Sequence, residues 1–168
     1  MNEPVWTEER VDAYRLAMSR LISGVCVVSA RSGSLDLAMT ATSVVSVSLE
    51  PPTVLFCVHS DARLAEAVEP PGRWAVSVLD AEALAVADWL ASPGRPAVGQ
   101  LDRVPFHRGE RSGAALLDQA TAWVECRTEW TKTAGSHDVV VGQVLSVTSA
   151  PRGEGGIVHH HGRMRQLR

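Results

Sequence analysis

Short segments of alternating or continuous apolar residues recur along the chain and predict a protein built mainly from β-strands. Small polar residues, glycine and proline separate these segments, as in the turns RSGSLD and PRGEGG. The predicted strands cover residues 24–30, 37–49, 53–59, 73–79, 120–131, 139–150 and 157–167.

Three other segments have a helical period. Thr7 is a candidate cap for a helix that runs to about residue 21, and Ser60 and Asp80 are candidate caps for helices over residues 61–68 and 81–92. A loop rich in glycine, proline and arginine follows from residue 93 to about 113. The strands follow one another closely and do not alternate regularly with helices. The pattern therefore predicts an antiparallel barrel with peripheral helices rather than a doubly wound sheet.

The segment 37–49 contains no charged residue and has many hydroxyl groups. If it is a single strand, alternate side chains share a face. One face is mostly apolar (Ala41, Ser43, Val45, Val47, Leu49), and the other is mostly hydroxylic (Thr40, Thr42, Val44, Ser46, Ser48). A row of short hydrogen-bonding groups suits a polar ligand that approaches the backbone closely. The alternative is a solvated outer face, where serine and threonine are also common.

Two further positions are candidates for binding. Ser60 would cap a helix whose first turn could bind an anion, with Arg63 one turn along, although an ordinary capped surface helix is the alternative. His137 lies between a glycine turn and an apolar run, in GSHDVVVG. A histidine in such a place is either a proton handler or ligand contact, or a hydrogen-bonded turn residue.

The remaining histidines and cysteines do not predict a metal site. His159 and His161 could share one face of a strand, but no cysteine or carboxylate is spaced to complete a zinc site. Cys26, Cys57 and Cys126 are scattered through strand-like segments, which is typical of small buried apolar residues. A catalytic thiol is the alternative interpretation for one of them.

Composition narrows the class of protein. A chain of 168 residues with a net charge of -3 and a pI near 6.1 suggests one domain without a nucleic-acid-binding surface. No apolar run approaches the roughly 20 residues that span a bilayer, and no signal peptide is evident, so we expect a cytoplasmic protein. Neither GxGxxG after a strand nor GxxxxGK[ST] occurs, so any nucleotide is bound without the usual glycine loop.

Five motifs occur in order along the chain: SGVCVVSA, AMTATSVVSVSLEPPTVLFCV, RWAVSVL, GSHDVVVGQVLSV and HHHGRMRQL. With these motifs the chain resembles the flavin reductase-like, FMN-binding split-barrel family, from about residue 13 to 167. The stretch GRPAVGQLDRVPFHRG is similar to the actinorhodin-pathway type of reductase in that family. The resemblance implies a mainly β fold, an antiparallel split barrel of six to seven strands with peripheral helices. It also implies one domain over residues 1–168, with a helix at about 7–22 and the barrel at about 24–167.

The resemblance also implies a role for particular residues. Thr40, Ala41, Thr42 and Ser43 would contact the ribityl chain and phosphate region of the flavin. Ser46, Val47 and Ser48 would face the isoalloxazine ring. Cys57, Ser60, Asp61, Ala62 and Arg63 match the segment that binds phosphate. His137 matches a histidine near the nicotinamide, with Ser136 where the family usually has aspartate; His159 and Met164 stand where it usually has tyrosines, and His159 would contact the cofactor.

The implied reaction is hydride transfer from NADH or NADPH to FMN or FAD, followed by release of reduced flavin to a partner flavin-dependent monooxygenase. The family consists of homodimers, and the first helix and the strand that contains Trp123 are candidate dimer surfaces. One alternative is a flavin-binding electron carrier or sensor without reductase turnover. Another is a barrel that uses its histidine cluster for metal or haem.

Overall fold

The computed structural model describes residues 5–150 and 155–167, which contain twelve β-strands, three α-helices and one turn of 3-10 helix. The helices are α1 (Glu8–Ser19), α2 (Arg63–Val68) and α3 (Leu84–Ala91), and the 3-10 turn is Ala81–Ala83. The strands are β1 (Ser23–Gly24), β2 (Cys26–Ser32), β3 (Leu35–Ala41), β4 (Val45–Leu49), β5 (Pro52–His59), β6 (Arg73–Leu79), β7 (Phe106–Arg108), β8 (Ala115–Leu117), β9 (Ala120–Ala134), β10 (His137–Ser149), β11 (Gly156–His160) and β12 (Arg163–Leu167). The predicted mainly β fold is confirmed.

Seven antiparallel strands form the central sheet, in the order β3-β2-β6-β9-β10-β5-β4. A second sheet has the order β1-β11-β12, and β7 pairs with β8. Among the described residues, no helix is long and apolar enough to cross a bilayer.

The central sheet closes on itself because its two edge strands are neighbours in sequence. β3 and β4 lie at opposite edges of the sheet, yet only three residues, 42–44, connect them. A flat sheet of seven strands is about 29 Å wide, since neighbouring strands lie about 4.8 Å apart. Four consecutive Cα–Cα steps reach at most about 15 Å. The sheet must therefore curl into a barrel that brings its two edges together.

The predicted single strand over residues 37–49 is wrong, because the chain bends at residues 42–44 and forms two strands. The alternation of faces does not continue through the bend. Val45, Val47 and Leu49 were expected on a core face, but in β4 they are exposed, Leu49 by 82%. The run of small residues contains neither glycine nor proline at the bend, so the pattern gives no sign of it.

The predicted last strand over residues 157–167 is also wrong. The segment is the β11–β12 hairpin, which turns at His161 and Gly162, both with a positive φ. The predicted loop from residue 93 contains β7. Most of the predicted PRGEGG turn, residues 151–154, lies outside the described residues.

Two predicted helix caps are confirmed. The Thr7 side chain accepts a hydrogen bond from the Arg10 N–H at 3.4 Å, and α1 starts at the next residue. The Asp80 carboxylate accepts from the backbone N–H groups of Glu82 and Ala83, which starts the 3-10 turn that leads into α3. Both caps satisfy backbone donors that the first turn leaves free.

β2 is buried on both faces, which explains its continuous apolar sequence. Val28 packs in a core with Phe56 and Trp74, whereas Val27 packs on the other side with Leu90 of α3. The buried hydroxyl groups here have partners, since the Ser29 Oγ donates to the Ala115 carbonyl and the Ser77 Oγ accepts from the Leu117 N–H. α2 and α3 therefore cover opposite sides of one strand.

Trp74 is the largest fully buried side chain, and β10 passes directly over it. Its indole N–H donates to the Thr128 Oγ1 at 2.9 Å, and its ring meets that of Phe56 edge-on with centroids 4.7 Å apart. Gly142 makes this approach possible, because a Cβ there would lie 2.6 Å from the Trp74 ring. The pairing of β9 and β10 also shifts register next to Gly142.

We expect Gly142→Ala to lower the free energy of unfolding by roughly 1–3 kcal/mol, because the methyl group would overpack the core at Trp74. Chemical denaturation of the ligand-free protein measures this change. Gly24→Ala is the matched control, since a Cβ there meets no atom within 4 Å. A Gly142→Ala variant as stable as the control would contradict this account of the core.

Candidate active site

One candidate site is a cleft of about 850 Å³, here called the first cleft. Its walls come from β3, from the end of β5 and start of α2, from the start of β10, and from the segment after α3. The lining residues used below are Thr40, Cys57, His59, Asp61, Ala62, Arg63, Arg95, Gln100 and His137. The cleft lies between β3 and the paired ends of β5 and β10, where β5 extends beyond its pairing with β4, and none of its described lining residues belongs to β4.

The pairing of β5 with β10 brings two histidines together at the first cleft. His59 and His137 are direct partners in the antiparallel ladder, and their ring centroids are 5.2 Å apart at 66°. The Nδ1 of His59 accepts a hydrogen bond from the Asp61 N–H at 3.2 Å, so a neutral His59 carries its hydrogen on Nε2. The Nδ1 of His137 lies 3.0 Å from the Ser136 Oγ. Each ring is thus oriented through Nδ1 by its own segment.

Arg63 supplies a positive charge in the first cleft, at the first residue of α2. Among the described residues it forms no salt bridge. Asp61 is the one carboxylate in the cleft lining, and its side chain is 94% exposed, 3.9 Å from the Nδ1 of His59. The described lining therefore favours the binding of an anionic ligand group.

The predicted capping role of Ser60 is wrong. α2 starts three residues later with Ala62 at the capping position, and no side chain caps it. The Ser60 N–H donates to the Ser136 carbonyl at 3.0 Å, which joins the start of this segment to the turn before β10. Its Oγ is buried and has no hydrogen-bond partner among the described residues. Such a hydroxyl group is rare in folded proteins, and a bound water, ion or ligand can complete its hydrogen bonding.

Several hydroxyl groups of the 37–49 segment hold the barrel together. The Thr40 Oγ1 donates to the Ala87 carbonyl of α3 at 2.6 Å. The Ser43 Oγ accepts from the Cys57 N–H at 3.0 Å and so continues the β4–β5 ladder through the bend. The Ser48 Oγ accepts from the Glu50 N–H. These side chains do not form one continuous row.

A second cleft of about 570 Å³ lies on the other side of Thr40. Thr42 and His159 line it, together with Asp88, Ala91, Gly162, Arg163 and Met164. Thr40 and Ala91 belong to both clefts. His159 and His137 therefore lie in different clefts.

In the structure of the single chain, the predicted site residues fall into three sets. Thr40, Cys57, Asp61, Ala62, Arg63 and His137 line the first cleft, and Thr42 and His159 line the second. Ser46, Val47 and Ser48 lie on the edge strand β4, Ala41 and Ser43 pack in the barrel wall, and Ser60 precedes α2 with its Oγ buried; none of these six lines either cleft. The sequence prediction missed His59, Arg95 and Gln100. The sequence signals that could have identified them are the end of TVLFCVH, which is His59, and the motif GRPAVGQ, which contains Arg95 and Gln100.

The three cysteines have different environments. Burial raises the pKa of Cys26 to about 11, and burial together with the Glu125 charge raises that of Cys126 to about 12. Both thiols therefore remain protonated and inert at neutral pH, as expected for structural cysteines. Cys57 is half-buried and lines the first cleft. Within the described residues, no cluster of candidate ligands could hold a metal ion.

The split barrel is the fold class to which flavin reductases belong, and two solved structures show the likeness. The flavin reductase component BorF of a bacterial two-component tryptophan halogenase matches with a TM-score of 0.85 and 38% identity, over 94% of this chain and 98% of its own. The NADH:FAD oxidoreductase SgcE6 of Streptomyces globisporus C-1027 matches with a TM-score of 0.86 and 36% identity, over 100% and 99%.

The chain belongs to the flavin reductase like domain family, whose model matches residues 18–168. It is also 39% identical over 157 residues to the NADH-dependent FMN reductase AsuE2 of Streptomyces nodosus subsp. asukaensis, which covers 93% of this chain and 84% of the relative. The resemblance inferred from the five motifs is therefore confirmed, and so is the split-barrel fold.

We expect iodoacetamide at neutral pH to alkylate Cys57 while leaving Cys26 and Cys126 unmodified, because only Cys57 lines a cleft and the other two thiols are buried with raised pKa values. Mass spectrometry of digested protein identifies the modified residue. FMN should slow the reaction at Cys57 if it occupies the first cleft. Alkylation of all three thiols at equal rates would contradict the burial described here, and full alkylation after denaturation is the control.

Proposed function

We propose that the protein is an NAD(P)H:flavin oxidoreductase, which transfers hydride from NADH or NADPH to FMN or FAD and releases reduced flavin. The observation that carries this proposal is the first cleft, where His59, His137 and Arg63 meet in a chain of the flavin reductase-like family. The partner we propose is a flavin-dependent monooxygenase or a related oxygenase that receives the reduced flavin by diffusion. BorF is, by its name, the flavin reductase component of a bacterial two-component tryptophan halogenase.

The residues of the first cleft fit a flavin nucleotide. Its volume of about 850 Å³ is within the range of small-molecule and cofactor sites. Arg63 supplies a cation without a carboxylate partner among the described residues, and the unpartnered Ser60 Oγ is three residues away in sequence. We infer that Ser60, Asp61, Ala62 and Arg63 surround the flavin phosphate.

Little acid–base chemistry is required of the protein. Bound flavin and nicotinamide supply the hydride acceptor and donor, and the protein must orient two flat rings. We infer that His137, oriented by Ser136 and by its contact with His59, holds the nicotinamide half of the reductant. Good orientation can lower the activation barrier by roughly 7–11 kcal/mol relative to separated reactants. Thr40, anchored to α3, keeps the β3 wall in place.

We expect the purified protein to oxidise NADH or NADPH in the presence of FMN or FAD, measured as loss of nicotinamide absorbance. His137→Ala should lower kcat/KM for the reductant by roughly tenfold or more, since it removes a hydrogen-bonding ligand contact. The Kd for FMN should change much less. His107→Ala is the matched control, because His107 pairs with Asp118 outside both clefts.

An equal loss of flavin binding and turnover in His137→Ala would contradict its nicotinamide role. A tightly bound yellow protein without any turnover would instead support the electron carrier or sensor.

We also propose that the protein is a homodimer. β4 is an edge strand on which Val45, Val47 and Leu49 are exposed, and an exposed apolar edge is an aggregation hazard unless another chain covers it. α1 has no buried residue, and its apolar side chains Tyr14 and Leu16 are more than half exposed. Trp123 contributes less to such a surface than expected, since it is half-buried and its indole N–H donates to the Leu117 carbonyl.

We expect the wild type to be a dimer by light scattering coupled to size-exclusion chromatography. Val47→Glu should raise the dimer dissociation constant by roughly a hundredfold or more, because a buried unpaired charge is costly. Val98→Glu is the matched control, since Val98 is 67% exposed in the loop after α3. A monomeric wild type at micromolar concentration would refute the proposal.

A further inference from the structure

Arg95 lies in the segment after α3 and is fixed by three neutral oxygen atoms. Its Nη2 donates to the Ala38 carbonyl of β3 at 2.7 Å, and its Nη1 donates to the Ser92 carbonyl at 3.0 Å. A longer contact of 3.4 Å joins its Nε to the Gln100 Oε1. A guanidinium has five N–H donors. Two of them therefore remain without a partner among the described residues.

The charge of Arg95 is not balanced by a carboxylate among the described residues. Burial lowers its pKa, which reflects the cost of removing the guanidinium from water. The group stays protonated nonetheless, because arginine does not lose its proton in proteins at neutral pH. A half-buried cation held only by dipoles is stabilised further when an anion joins it.

Arg108, the last residue of β7, shows the opposite arrangement. Both of its terminal nitrogens donate to the Asp36 carboxylate, and it lines neither cleft. This contrast separates a structural arginine, which has its own carboxylate partner, from Arg95, which faces the first cleft without one.

The position of Arg95 is fixed before any ligand binds. The Gln100 amide donates to the Asp36 carbonyl at 3.1 Å and to the Ala97 carbonyl at 3.3 Å, so the segment is tied to β3 at both Arg95 and Gln100. A cation held in this way loses little side-chain freedom when an anion binds. Arg63 lines the same cleft from α2, so the cleft contains two arginines on separate elements.

We propose that Arg95 is a second phosphate-binding residue of the first cleft, acting with Arg63 on the phosphate of the flavin nucleotide or of the nicotinamide dinucleotide. The inference rests on the proposed reductase function and assigns a ligand contact to a residue for which the sequence motifs gave no role. The flavin nucleotide and the nicotinamide dinucleotide present the same phosphate chemistry. Ligands with and without each phosphate distinguish them.

The experiment compares Arg95→Gln, Arg95→Lys and the wild type with ligands that differ in phosphate. FMN and riboflavin are titrated by flavin fluorescence, and KM is measured for NADH and for the phosphate-free donor N-benzyl dihydronicotinamide. Arg103→Gln is the matched control, because it removes the same charge from an exposed position of the same loop that lines only a different cavity. Thermal unfolding checks that each variant is folded.

If Arg95 binds the flavin phosphate, Arg95→Gln weakens FMN by roughly tenfold or more and leaves riboflavin unchanged, as expected for loss of a charged hydrogen bond. If it binds the dinucleotide, KM for NADH rises by a similar factor and KM for the benzyl compound does not. Arg95→Lys should weaken binding less than Arg95→Gln does, because lysine keeps the positive charge but cannot form the paired hydrogen bonds of a guanidinium.

Equal weakening of phosphorylated and phosphate-free ligands would overturn the proposal and leave Arg95 with only a structural role. So would unchanged values for all four ligands in a folded Arg95→Gln variant. A wild type that neither binds flavin nor oxidises NADH would instead refute the reductase function itself, so the two failures are distinguishable.

Discussion

The short connection between β3 and β4 is the constraint on which the rest of the molecule depends. Three residues hold the two edges of a seven-stranded sheet together, and the Ser43 side chain fastens the bend to the Cys57 backbone. Beyond this connection β3 separates from the ends of β5 and β10, and the first cleft lies between them. α2 and the segment after α3 complete its walls, so the geometry of closure and the geometry of the site have one cause.

The sequence predicts the strands well because most of them bury one or both faces, which leaves an apolar pattern. It does not predict where a run of small residues bends. Residues 42–44 continue the pattern of the flanking strands, and only the closure of the barrel shows that the chain turns there. Glu125 is a similar case: it looks like a solvated residue of an alternating strand, but it is buried and accepts from the Ser112 N–H, the Ser112 Oγ and the Arg111 N–H.

The candidate site was predictable only in part, for a related reason. Arg63 and His137 could be named from local signals and from the family motifs. The neighbour of His137, however, is set by the register between β5 and β10, which local patterns do not give; for this reason His59 was missed. Arg95 was missed because its environment depends on which carbonyl groups the loop meets after folding.

The pairing of β5 with β10 also affects the order in which the chain can fold. The β2–β3 and β9–β10 hairpins join strands that are close in sequence, whereas β5 and β10 are far apart. Ladders between distant segments carry a larger loop-closure entropy and tend to form late. We therefore expect the histidine pair to form late in folding, so that a nucleotide recognises the finished barrel rather than an early intermediate.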